Sequence, residues 1–138
     1  MALSPADITA SFFAVLKSST AGAAVRAALG AQGASVIPAD DLKTAGLVFP
    51  LVALRAGPIT GERYQPRACF FTWWVYDEAI KRFTRINQIL PLIEAAYTAH
   101  IIAYGRTDLA GGISQEIPED RALGRPTRSI TFTYTTRR

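Results

Sequence analysis

Hydrophobic and polar positions along this chain switch between a helical period and an alternating one, and the switches mark out the elements. In SPADITASFFAVLKS, starting at Ser4, the apolar residues Ile8, Phe12, Val15 and Leu16 share one stripe at helical spacing. Ser4 is placed to cap that helix, Pro5 suits its first position, and Asp7 sits in the first turn, where a carboxylate favours the helix dipole. The polar run KSST breaks the pattern. Thr20 is then expected to cap a second short helix, AGAAVRAALG, with Val25, Ala28 and Leu29 on one face and Gly30 at its stop. AQGASVIPADDLKTAG reads as a loop with a short extended piece at Ser35 to Pro38.

The period then becomes that of strands. LVFPLVALR, residues 47 to 56 with its neighbours, is strand-like, but Pro50 has no N–H for a ladder and must lie at the strand's start, at an edge or at a bulge. AGPITGERYQP is turn material, so a hairpin should join this strand to one at 67 to 77. That second strand, within ACFFTWWVYDE, is apolar or aromatic on both faces. One face carries Cys69, Phe71, Trp73 and Val75; the other carries Phe70, Thr72, Trp74 and Tyr76. A helical pattern follows through AIKRFTRINQILPLIEAAYTA, with Pro91 expected to kink it or to start a new helix. HIIAYGR reads as a strand, residues 105 to 127 as a long polar loop, and RSITFTYTT as a half-buried strand with Ile130, Phe132 and Tyr134 on its inner face.

The order is helix, helix, strand, strand, helix, strand, long loop, strand. It predicts one α+β domain over residues 1–138, with an antiparallel or mixed β-sheet of about four to five strands and two to three helices packed on one face.

Composition narrows the class without naming a chemistry. At 138 residues, with 49% hydrophobic and 19% charged positions, the chain can bury one sizeable core. No apolar run approaches the roughly 18 to 20 residues of a membrane span, so no membrane is expected as a partner. The N-terminus lacks the charged start and cleavage site of a secretory signal, and a lone cysteine, Cys69, forms no internal disulfide; both fit a reducing compartment. The net charge is +4, and five arginines with no acid follow Asp120: Arg121, Arg125, Arg128, Arg137 and Arg138. Arginine's planar fork serves protein interfaces as well as phosphates.

Catalytic groups are sparse. His100 is the single histidine, which excludes a two-histidine metal site, and Cys69 among bulky aromatics reads as a buried small hydrophobe. GAQGAS and GGISQE lack the lysine and the strand-to-helix context of a phosphate loop. Asp77-Glu78 and Glu119-Asp120 are adjacent pairs, which in a strand point to opposite faces and so suit turns or caps better than acid–base work. These features predict no enzyme, no cofactor and no metal. A nucleic-acid reading has the aromatic strand for stacking and the arginines for phosphate, but CFFTWWVY carries no charge among its aromatics.

Taken in order, the elements resemble those of the tail terminator and head–tail completion proteins of long-tailed double-stranded DNA bacteriophages. The features that carry the likeness are the capped N-terminal helix, the short AAVRAALG helix and a strand opening with Phe49-Pro50. They continue with the aromatic strand ending Val75-Tyr76-Asp77 before an amphipathic helix, and with the terminal strand RSITFTYTT. The resemblance implies a structural virion protein, assembled in the host bacterial cytoplasm, that forms a ring, usually a hexamer, at the head–tail joint. Such a ring caps the tail tube, meets the head connector or stopper protein, and lets genomic DNA pass through its lumen. A neighbouring neck or stopper protein is the near alternative, and a small basic nucleic-acid-binding protein the distant one.

Physical reasoning reaches self-association by another route. The all-apolar strand face should pack on the protein's own helices. The mixed face, Phe70, Thr72, Trp74 and Tyr76, has aromatics with polar tips, as interface hot spots do, and should be covered by a neighbouring subunit or by the long loop. The arginines of the loop and C-terminus would pair with acids across interfaces or line the DNA channel.

Overall fold

The computed structural model describes residues 5–30, 35–43, 46–60, 68–99, 105–121 and 123–136. Three helices, α1 (Pro5–Lys17), α2 (Ala23–Leu29) and α3 (Thr84–Ala99), lie on one face of a five-stranded sheet. Its strands are β1 (Val36–Pro38), β2 (Leu51–Thr60), β3 (Ala68–Tyr76), β4 (Gly105–Ile113) and β5 (Thr127–Thr136), in the spatial order β1-β2-β3-β5-β4. β1 runs parallel to β2, and every other neighbouring pair is antiparallel, so the sheet is mixed and the fold is α+β, as the pattern predicts.

The core forms where the three apolar stripes meet the apolar face of the sheet. Phe12, Val15 and Leu16 of α1, Val25 and Leu29 of α2, and Ile86, Ile89, Leu90 and Ile93 of α3 are all buried. Cys69, Phe71, Trp73 and Val75 of β3 face them, joined by Ile130, Phe132 and Tyr134 of β5. Phe12 is clamped between the rings of Phe71 and Tyr97, each with its centroid 4.3 Å away. A short polar relay crosses this apolar centre. Trp73 Nε1 donates to the Tyr97 hydroxyl at 2.9 Å, and that hydroxyl donates to the Phe12 carbonyl at 2.7 Å. The relay satisfies two groups whose burial without partners would cost about 1–3 kcal/mol each.

Helix α1 ends against α2 at very close range. Arg26 of α2 donates to the Leu16 carbonyl at 2.8 Å, in the last turn of α1, and to the Ser19 carbonyl at 2.6 Å, which also accepts the Gly22 N–H at 3.2 Å. Gly22, buried in the 3₁₀ turn Thr20–Gly22, lets the two backbones touch.

Several boundaries differ from the sequence expectation, each for a local reason. Thr20 does not cap α2; it begins the 3₁₀ turn, and Gly22 occupies the cap position, where it has no side chain to offer. Gly30, by contrast, ends α2 at φ +78° in the role expected of it. Ser4 and His100 lie outside the described residues, as do Arg137 and Arg138. Pro50 directly precedes β2, one of its three allowed places. β2 itself runs on to Thr60 through Gly57-Pro58, which the composition assigned to a turn. The register shifts between Ala56 and Ile59, and such a bulge accommodates a proline inside a strand.

Pro91 starts no new helix; α3 is one helix from Thr84 to Ala99 with Pro91 inside it and exposed. The 3₁₀ turn Ala79–Lys81 precedes it, so the helical pattern from residue 79 is not one continuous helix. Of HIIAYGR, residues 100–104 fall outside the described residues, and the strand begins at Gly105. Residues 105–113, expected as part of the loop, form β4 on β5. Glycine and charge argue against a strand interior, but an edge strand with a register shift tolerates both.

Candidate interface on the open sheet face

The face of β3 turned away from the helices is closed at one end by the chain itself. Tyr76, at that end, is buried. It packs with Leu42 of the 3₁₀ turn Ala39–Lys43, with Leu51 and Ala53 of β2, and with Phe49 and Leu123. The Tyr76 hydroxyl donates to Asp120 Oδ2 at 2.9 Å, while Asp120 Oδ1 accepts the backbone N–H groups of Leu123 at 3.0 Å and Arg125 at 3.3 Å. One carboxylate therefore folds the segment 120–125 and pins it over the sheet, which is the loop-ordering use of aspartate. Gly124, at φ +65°, completes the turn, and Arg125 lies 4.2 Å over the ring of Phe49.

Two residues further along β3 the cover becomes partial, with Trp74 packed at its margin. Trp74 is half-buried, Thr72 is half-buried, and Phe70 is 38% exposed. The register sets Trp74 beside Ala53 and Ser129, Thr72 beside Arg55 and Thr131, and Phe70 beside Thr133. The Thr72 and Thr131 hydroxyls share a hydrogen bond at 3.0 Å. This half of the face is thus a shallow floor of aromatic rings and threonine methyls. Where it meets the cover there is a cavity of about 500 Å³, with Trp74, Tyr76 and Ile117 on its walls together with two arginines, Arg55 and Arg121, and two acids, Glu119 and Asp120.

The structure separates the arginines that the sequence grouped together. Arg121 is exposed beside Trp74 at the cavity wall. Arg125 belongs to the cover. Arg128 lies on the helix side of β5, where Nε and Nη2 donate to the Ser114 carbonyl, each at 3.1 Å, and Nη1 donates to Asn87 Oδ1 at 2.6 Å. Arg55, exposed on β2 opposite Thr72, joins Arg121 at the cavity although composition did not single it out. The alternation Ala53, Arg55 against Val52, Leu54 is the signal that places it on this face.

The other candidate groups of the sequence have structural partners. Cys69 is buried in the core. Asp77 is fully buried and accepts Arg85 Nε at 2.8 Å and Arg85 Nη2 at 2.5 Å, and it also accepts the Glu78 N–H at 2.7 Å. It is therefore a turn-fixing residue, while Glu78 stays exposed. Among the described residues no helix is long and apolar enough to cross a membrane.

Burial, and then the hydrogen bond to Asp120, raises the Tyr76 pKa; burial does the same for Tyr97, opposed by the hydrogen bond from Trp73. Both phenols are held protonated above their ordinary value of 10.0 in the folded chain. The unfolded chain therefore releases protons first as pH rises through about 10, so the stability these groups contribute is full below that pH and is lost above it. Urea midpoints are expected to be flat with respect to these phenols near neutrality and to fall above about pH 10, less steeply in Tyr76→Phe. An equal fall in the variant would show that Tyr76 is not held this way.

No protein-family model matches the chain, and no curated protein matches its sequence.

Proposed function

We propose that this chain is a structural assembly protein that forms a ring of identical subunits at the head–tail joint of a long-tailed bacteriophage. In this reading it caps the tail tube, meets the head connector and leaves a lumen for DNA. It has no catalytic role. The observation that carries the self-association is the half-covered face: Asp120 and Leu123 seal Tyr76, while Trp74 and Thr72 stay half-buried and Phe70 exposed. A partly exposed tryptophan in a shallow depression, with arginines and acids at its rim, has the composition of an interface hot spot. The virion setting is supported by the order of elements, in which two N-terminal helices, an aromatic hairpin, one crossover helix and two closing strands follow one another as in the family that the sequence resembles. A neighbouring neck protein at the same joint shares these features.

The test is Trp74→Ala. It should leave the circular dichroism spectrum intact and shift the assembled species to single subunits, and in a phage particle it should lower the yield of joined heads and tails. Unchanged assembly and particle yield would remove this face from the interface. Arg55 and Arg121 beside Trp74 are the observation favouring nucleic acid instead, and Glu119 and Asp120 on the same cavity weigh against it. A steep fall in DNA affinity with salt that flattens in an Arg55→Ala, Arg121→Ala variant would select that class.

A further inference from the structure

The most anomalous side chain on the surface is Ile80, 85% exposed in the 3₁₀ turn between β3 and α3. Its setting is stiff. Buried Asp77 and half-buried Arg85 tie the two ends of the turn together, and Lys81 N–H donates to the Glu78 carbonyl at 3.0 Å across it. Glu78 and Lys81, both exposed, stand on either side of the isoleucine. Glu78 makes only a long, solvent-exposed ion pair with Arg85, at 3.9 Å, while Arg85 gives its two short hydrogen bonds to Asp77, so the Glu78 carboxylate remains accessible to a further cation. The chain therefore holds out a rigid apolar knob with an anion and a cation beside it.

A complementary recess exists elsewhere on the same chain. β1 pairs with β2 only as far as Pro38 opposite Leu54, and beyond that point no described strand pairs with the outer edge of β2. Between this edge and α1 lies a cavity of about 730 Å³ whose apolar wall comes from Phe13, Pro38, Leu54 and Ala56. Its charged members are Arg55 and Asp40, both exposed and without an ion pair among the described residues. Knob and recess thus match in shape class and carry opposite charges in pairs. Because they occupy different parts of the surface, their union is head-to-tail, the kind of contact that closes into a ring or runs on as a filament.

We propose that Ile80 of one copy enters the α1–β2 recess of the next, with Glu78 meeting Arg55 and Lys81 meeting Asp40. The inference rests on the self-association reading above and names its contact. Arg55 links the two: it stands at the recess and on the open face beside Thr72, so a neighbour seated by Ile80 reaches toward Trp74. The experiment is a charge-swap cycle on the full chain, read by sedimentation as the dissociation constant of the assembly. Ile80→Asp, Glu78→Lys and Arg55→Glu should each weaken association about tenfold or more, and Glu78→Lys with Arg55→Glu together should recover to within about threefold of wild type. Lys81→Glu with Asp40→Lys gives the same cycle on the second pair. Assembly that is indifferent to Ile80→Asp, or swaps that weaken singly and never restore in combination, overturns the contact and leaves the ring standing. A wild-type protein that is a single subunit at every concentration overturns both.

Discussion

Trp73→Ala is expected to remove about 3–5 kcal/mol of stability, a large part of the roughly 5–15 kcal/mol that holds a domain folded. Trp73 is fully buried, its ring lies 5.8 Å from that of Phe13, and its Nε1 donates to Tyr97. Truncation leaves a cavity beside Phe13 of α1 and Tyr97 of α3 and takes the donor away from the Tyr97 hydroxyl. The neighbours cannot refill it, because Phe12 is already held between Phe71 and Tyr97. A urea melt should show the loss as a lowered midpoint. Trp74→Ala, one position along and on the other face, should cost about 1 kcal/mol, since that ring already meets water on one side. Equal losses for the two tryptophans would mean that the sheet faces are wrongly assigned.

Gly22→Ala is expected to lower stability by about 2–3 kcal/mol, in the upper range for overpacking. A Cβ there would collide with the Val15 carbonyl oxygen and stand 2.8 Å from Leu16 Cα, and both are backbone atoms that cannot swing aside. The only relief is to draw α2 away from α1, which strains the Arg26 bonds to the Leu16 and Ser19 carbonyls. At Gly30 the same change meets no atom within 4 Å, and its penalty comes only from the φ of +78°. A thermal melt in which Gly22→Ala is no worse than Gly30→Ala would contradict the close helix contact.

How far these features were legible in the sequence depended on whether one period decided them. Phe12, Val15 and Leu16, and Ile130, Phe132 and Tyr134, declared their buried faces because a stripe or a strict alternation has one reading. The two faces of β3 were legible for the same reason, and so was the need to cover the second. What covers its Tyr76 end was not, because Asp120 reaches Tyr76 across 44 positions and no local pattern encodes that distance. β4 was missed because its glycines and charges are loop-like locally, and its pairing with β5 is a tertiary fact. The same limit hid the role of Arg128. It was grouped with neighbouring arginines, whereas its register on β5 turns it toward Asn87 of α3. Arg55 and Ile80 interrupt no pattern; their interest lies in what surrounds them in space.

The central claim is that Trp74 and the floor around it are finished by another copy of the chain. Sedimentation equilibrium of the purified full-length protein tests it most directly. The expected result is a closed species at a fixed multiple of 14.9 kDa that falls apart to single subunits in Trp74→Ala. A species of 14.9 kDa across the whole concentration range would contradict it.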